Sequence, residues 1–247
     1  MIFDQFLLAA SVLTRLPVAP DAPAAEGTVA EASWAFPAVG AGIGMVAAIV
    51  LFAAASLRLG EASAALLALA AGGLVTGALH EDGLADTLDG FGGGRDREAK
   101  LTIMRDSRCG TYGIIALIFS IGLRAAALVA IGSPIEAGLA LIAAHAASRA
   151  TLPAVMWRLA PARADGLGAL AGKPGLAPVL VAAAVGAFVA LGMLGPIRGL
   201  VALAVTALAA AATALLAKRQ IGGYTGDVLG AIQQIGEIAM LLVAAAK

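Results

Sequence analysis

Four carboxylates fall within nine residues at Glu81, Asp82, Asp86 and Asp89, directly after a long apolar run. On an α-helix, Asp82, Asp86 and Asp89 stand at i, i+4 and i+7 and project from one face. Like charges stacked this way repel, and burial strengthens the repulsion. A divalent cation relieves it, because oxygen ligands at this density suit Mg²⁺ or Ca²⁺. With Glu81 they form the expected metal set. The glycines that follow are expected to end the helix and free backbone N–H groups. Gly92 and Gly93, with Arg95 and Arg97 beside them, then make a phosphate cradle. The plainer alternative is a solvated acidic loop between two membrane helices. The one-face spacing and the glycine run together favour the site.

Further polar groups recur downstream. Asp106 is a candidate metal ligand or base, and Arg105 and Arg108 are candidates to hold phosphate oxygens through their planar forks. Their alternative is a basic cluster at the end of a span. His145 and Arg149 lie one helical turn apart inside an apolar segment. Arg149 is a candidate for substrate phosphate or for pairing with a carboxylate, whereas His145 reads as a satisfied interior histidine. Asp227, Gly230, Gln234 and Glu237 form a polar stripe on a membrane helix, which must face protein or substrate rather than lipid. Asp227 is the strongest candidate outside the acidic stretch for contact with metal or nucleophile. Glu237 reads equally as a structural group, and Arg124 either snorkels or pairs with Glu237.

The elements that must carry these groups are membrane helices. Hydrophobic residues make up 61% of the chain and charged residues 13%, against about 25% charged in a soluble domain. Spans of roughly 20 apolar residues can be drawn at about 35–57, 62–79, 113–133, 135–157, 176–194, 197–217 and 228–246. Residues 2–16 are too short and too interrupted for a clear span and read as an interfacial or partly inserted helix. Residues 17–33 read as a loop. The expected fold is an all-α integral membrane protein, a polytopic bundle of about seven spans in a single domain over 1–247, with 80–112 as its active-site loop. Gly40, Gly42 and Gly44 suit close helix approach.

Alternate loops divide the basic residues eleven to three, with Arg124 and Arg149 inside spans. The positive-inside rule then puts 80–112, 158–175 and 218–227 in the cytoplasm on one face. Zero net charge gives no basic footprint for nucleic acid. One cysteine, Cys109, excludes an intrachain disulfide, and one Cys with two His argues against zinc. Acidic groups, basic groups and glycine turns gathered on one face suggest metal-assisted transfer of a phosphate-linked group.

Three separated motifs sharpen this. His80-Glu81-Asp82-Gly83-Leu84-Ala85-Asp86 with Asp89-Gly90-Phe91-Gly92-Gly93 resembles the signature of the cobalamin synthase (adenosylcobinamide-GDP ribazoletransferase) family. So do Met104-Arg105-Asp106-Ser107-Arg108 with Gly110-Thr111-Tyr112-Gly113, and Gly222-Gly223-Tyr224-Thr225-Gly226-Asp227-Val228-Leu229-Gly230-Ala231. Thr14-Arg15-Leu16-Pro17 and Phe36-Pro37-Ala38-Val39-Gly40 are also similar. The resemblance implies a Mg²⁺-dependent enzyme of the bacterial cytoplasmic (inner) membrane. A hydroxyl of α-ribazole or its 5′-phosphate would attack the cobinamide-linked phosphorus of adenosylcobinamide-GDP and release GMP. It implies Asp82, Asp86 and Asp89 as metal-binding positions, with Asp106 and Asp227 in matching motifs. Oligomeric state is open between a monomer and a symmetric homo-oligomer. A CDP-alcohol phosphotransferase is the alternative, but Asp86 stands where its motif needs arginine. A cation-coupled transporter is the alternative of another class and requires a polar path across the membrane.

Overall fold

The computed structural model describes residues 2–18 and 28–246, so residues 19–27 of the expected 17–33 loop lie outside the described residues. In chain order the helices are α1 (Ile2–Leu13), α2 (Val29–Ala32), α3 (Phe36–Ser56), α4 (Glu61–Thr76), α5 (Leu79–Gly93), α6 (Arg97–Ile103) and α7 (Thr111–Ile131). They continue as α8 (Pro134–Ala150), α9 (Leu152–Arg158), α10 (Leu167–Leu170), α11 (Leu176–Leu194), α12 (Pro196–Ile221) and α13 (Gly226–Ala245). Among the described residues, β structure is limited to one isolated bridge between Pro161 and Tyr224.

Six segments are long and apolar enough to cross a membrane: α2 with α3, α7, α8 with α9, α11, α12 and α13. The expected span at 62–79 is instead one half of a broken pair, α4 and α5, bent by 91°. Gly77 (φ 64°) and Ala78 (φ 58°) make the break, and a left-handed alanine there is a strained choice. Arg15 secures it. Its backbone N–H donates to Val75 O at 2.8 Å, and its side chain lies where a Cβ on Gly77 would stand. A cation at the C-terminal end of α4 also suits the helix dipole.

Two expectations are corrected. Residues 80–112 are not one loop, since α5 and α6 occupy most of them. Residues 29–33 of the expected 17–33 loop are helical. Thr28 and Glu31 form a reciprocal capping box that starts α2, the Thr-x-x-Glu signal that opens a helix.

Small residues set the packing. A Cβ on Gly40 would collide with His145 O, and one on Gly44 would stand 2.7 Å from Ile142 Cα. These two glycines therefore let α3 lie directly on α8, while Gly42 faces open space. Ala150 meets Gly186 of α11 in the same way. The result is a central pair, α8–α9 and α13, with 83% and 67% of their most apolar stretches buried, against 22% for α7 and α11. Leu66, Leu74, Ile118, Phe119, Phe188 and Leu208 point outward from the surrounding helices, as a lipid-facing surface requires.

The interior is layered. One apolar cluster gathers α1, the start of α3, α9, the end of α12 and Tyr224. A second gathers Leu51, Leu69, Leu128, Leu141 and Met240. Between them lies a polar layer of His80, Arg124, His145, Arg149, Gln233, Gln234 and Glu237, all buried.

Candidate active site at the α5–α13 crossing

Two glycines bring the acidic helix onto α13. A Cβ on Gly83 would sit 2.7 Å from Asp227 O, and one on Gly230 would sit 3.2 Å from His80 Cα. Each approach is this close because the glycine has no Cβ to hold the other backbone away. The crossing sets Asp82 and Asp86 beside Asp227, although some 140 residues of chain separate them. Asp86 is partly buried beside the charges of Asp82, Asp227 and Asp89, and the Arg163 charge acts against them. Asp227 accepts a hydrogen bond from Thr225 Oγ1 at 3.1 Å and one from Arg163 Nη2 at 3.4 Å. Thr225 also caps α13 by accepting Val228 N–H.

Among the described residues no three carboxylate, imidazole or thiol groups are already drawn together as a coordination sphere. The donor set nonetheless fits a hard divalent cation in its chemistry. The groups that meet at the crossing are the carboxylates Asp82, Asp86 and Asp227, and the Arg163 guanidinium acts on Asp86 and Asp227.

Asp89 is used differently from its neighbours. Its Oδ2 accepts Gly110 N–H at 2.7 Å and its Oδ1 accepts Gly113 N–H at 2.9 Å. It therefore sits on the N-terminus of α7, where unpaired N–H groups and the helix dipole favour an anion. Gly110 and Gly113 leave it room, since a Cβ on Gly110 would fall 2.5 Å from Asp89 Oδ1.

Loops close over the crossing. Ala162 N–H donates to Tyr224 O at 2.7 Å, and Tyr224 N–H to Ala160 O at 3.1 Å. Tyr224 OH donates to Gly168 O at 3.2 Å. From α6, Arg97 donates to Ile221 O at 3.0 Å and also to Ala162 O. Arg105 binds both oxygens of Asp165 at 2.7 and 2.8 Å. The expected gathering of the 158–175 and 218–227 segments with residues 80–112 on one face is thus present as specific contacts through Arg97 and Arg105.

The other predicted residues separate into two groups. Glu81 turns away from Asp82 into the polar layer, since adjacent helical residues point about 100° apart. There it lies 3.5 Å from Arg124 and accepts from Gln234 Nε2 at 3.1 Å. Arg149 is also in that layer, with Nη1 3.0 Å from His145 Nδ1. Arg124 pairs with Glu237 at 2.9 Å, as expected, and Gln233 donates to Glu237 at 2.6 Å. At the surface, Asp106 pairs with Arg108 at 2.6 Å. The Arg108 guanidinium holds the Asp106 carboxyl down at about 2. Arg95 is exposed. Gly92 and Gly93 belong to the last turn of α5, where a Cβ on Gly92 would enter the Tyr112 ring. They act there by admitting close neighbours.

Arg163 is the functional residue that spacing did not single out, because it sits in a loop without periodicity. The signal available was its place in a basic, glycine-containing segment on the same face as the aspartates. Arg15 likewise lay in a quoted motif with no role attached.

Comparison with known proteins agrees with this architecture. The family model described as cobalamin-5-phosphate synthase matches residues 5–245. The chain is 56% identical to the adenosylcobinamide-GDP ribazoletransferase of Bradyrhizobium diazoefficiens, over 97% of this chain and 92% of that one. It is 47% identical to the protein of the same name from Mesorhizobium japonicum, over 98% and 93%. No solved structure matches. With the match running through all three motifs and nearly end to end, the chain belongs to the cobalamin-5-phosphate synthase family.

Proposed function

We propose that this chain joins adenosylcobinamide-GDP to α-ribazole or α-ribazole 5′-phosphate, giving adenosylcobalamin or its 5′-phosphate and GMP. Family membership with near full-length relatives of that name supports the overall reaction. The observation that carries the site assignment is the Gly83–Gly230 crossing, which places Asp82 and Asp86 beside Asp227.

The reaction breaks one phosphoanhydride bond and forms one phosphodiester. The ribazole hydroxyl oxygen attacks the cobinamide-linked phosphorus, GMP leaves with the electron pair of the bridging oxygen, and the hydroxyl proton must go to a base. Asp82, Asp86 and Asp227 would hold Mg²⁺. When bound, the ion supplies neutralisation of the diphosphate and of the departing phosphate. Thr225 orients the Asp227 carboxylate through its hydroxyl. Asp89 acts as a positioning residue by fixing the start of α7 against α5. Arg97 and Arg105 hold the 160–166 segment over the carboxylates. The polar layer beneath, from Glu81 to Glu237, anchors α5 to α7 and α13. The basic loops at the carboxylate end support the cytoplasm of a bacterium as the side from which both substrates arrive.

The test is turnover by the purified chain in liposomes. It is supplied with adenosylcobinamide-GDP and α-ribazole 5′-phosphate, with Mg²⁺ or with chelator, and GMP is followed. Metal-dependent GMP release that disappears in Asp86→Asn and Asp227→Asn is expected. Folded protein that releases no GMP under these conditions would sink the assignment.

A further inference from the structure

We propose that Arg163 is the resident counter-ion of the Asp82–Asp86–Asp227 carboxylates, and that a divalent cation displaces its guanidinium onto a phosphate of the diphosphate substrate. The inference deepens the metal reading above and rests on it.

Geometry carries the first half. Arg163 Nη2 lies 3.4 Å from Asp227 Oδ2 and Nε 4.0 Å from Asp165 Oδ1. Asp165 is already engaged by both arms of its bond to Arg105. The Arg163 charge is therefore directed at Asp227 in the aspartate cluster, and it acts on Asp86 against Asp82, Asp227 and Asp89. The side chain is 17% exposed, so this pairing is screened less than a surface ion pair.

The second half follows from what the guanidinium leaves unused. Its Nη1 is buried and has no hydrogen-bond partner, which costs free energy unless a ligand completes it. A planar fork with one arm on a carboxylate and the other free matches a phosphate with two accessible oxygens. The residue is also free to shift without unmaking its loop. The segment is clipped to α13 through the backbone, by Ala162 N–H to Tyr224 O and Tyr224 N–H to Ala160 O. Gly166, at φ 86°, leaves open the space beside the guanidinium, where a Cβ would stand 3.4 Å from Nε and Nη2.

Coulomb attraction then sets the order of events. A doubly charged ion competes with a single guanidinium for the same carboxylates and wins when present. The released Arg163 keeps only Asp165, which it shares with Arg105, and gains an unshared anionic partner once the diphosphate is bound. Metal and substrate should therefore bind cooperatively.

The experiment uses the full chain in nanodiscs with Mn²⁺ as the metal probe, read by electron paramagnetic resonance, beside steady-state kinetics with Mg²⁺. R163Q removes the competing charge, so Mn²⁺ binding without substrate should tighten severalfold. KM for adenosylcobinamide-GDP should rise about tenfold or more, as loss of a charge-assisted hydrogen bond implies. R163K keeps the charge but not the fork, so Mn²⁺ affinity should stay near wild type while KM still rises. Asp86→Asn should lose Mn²⁺. If R163Q, with an unchanged melting temperature, binds Mn²⁺ no more tightly than wild type, the counter-ion role is wrong. An unchanged KM in R163K overturns the phosphate role even if R163Q does not fold. Absence of Mn²⁺ binding in wild type, with and without substrate, overturns the metal reading and this inference with it.

Discussion

The Asp89 carboxylate accepts the Gly113 backbone N–H at 2.9 Å, 24 residues along the chain, while its other oxygen accepts Gly110 N–H. One side chain thereby holds the end of the acidic helix against the start of the next span. Asp89→Asn keeps a single oxygen and presents an N–H to a donor. It should lose about 1–3 kcal/mol of stability, read as a lower melting temperature in detergent. Gly113→Ala should behave worse, because its Cβ would enter the carboxylate and lie 3.0 Å from Ala85 O. A melting temperature unchanged in both variants would remove Asp89 from this role.

The α5–α13 crossing makes a sharper demand on geometry than on stability. Gly83→Ala would push its Cβ to within 2.7 Å of Asp227 O, and the helices must part by a fraction of an ångström or more. Displacements of that size at reacting groups cost about 10²-fold in rate. Gly83→Ala should therefore lower kcat by roughly that factor while the protein stays folded. Gly42→Ala, which meets open space, serves as the control and should leave GMP release unaltered. Equal activity in the two variants would mean that the crossing does not set the site.

Much of this arrangement was legible in the chain. Apolar runs located most of the spans, two of the three glycines at 40, 42 and 44 meet a close helix while Gly42 faces open space, and the stripe from Asp227 to Glu237 faces protein as a polar membrane stripe must. Of the two readings open for Arg124, snorkelling and pairing with Glu237, the pairing is the one present. Other features depend on direction rather than type. Glu81 looked like one more member of the metal set, yet its place next to Asp82 aims it at the membrane interior. The 91° break is not legible in the sequence because Gly77 is followed by Ala78, a residue whose left-handed conformation has no sequence signature. Arg163 depends wholly on how a loop is clipped to Tyr224, a long-range pairing that no local pattern encodes.

Arg124 and Glu237 form a fully buried pair, their side chains 3% and 0% exposed. Removing one partner strands the other charge, so Glu237→Gln should destabilise by about 3–5 kcal/mol. Replacing both, as Arg124→Met with Glu237→Met, should recover part of that loss, since the pair goes together while Glu81 loses Arg124, its neighbour at 3.5 Å. Unfolding in mixed micelles provides the measurement. A double variant as unstable as the sum of the singles would show that the two charges do not act as a pair. His145 Nδ1, 3.3 Å from Glu237 Oε2, should report the same event by a shift in its imidazole resonances.

Cys109, the one cysteine, offers a readout of the carboxylates that does not depend on turnover. Burial against the protein surface pushes its thiol up, and Asp89, Asp86 and Asp82 push it further. A raised pKa means less thiolate at a given pH and slower alkylation. A cation bound among the aspartates cancels their contribution and lowers the thiol pKa. At pH 8, then, Mg²⁺ should speed iodoacetamide labelling of Cys109, and the gain should fade above the thiol pKa, where thiolate is already complete. Asp86→Asn should label faster than wild type without metal and respond less to Mg²⁺. Labelling that ignores Mg²⁺ at every pH, in protein shown by Mn²⁺ resonance to bind metal, would place the ion elsewhere than beside Asp82 and Asp86.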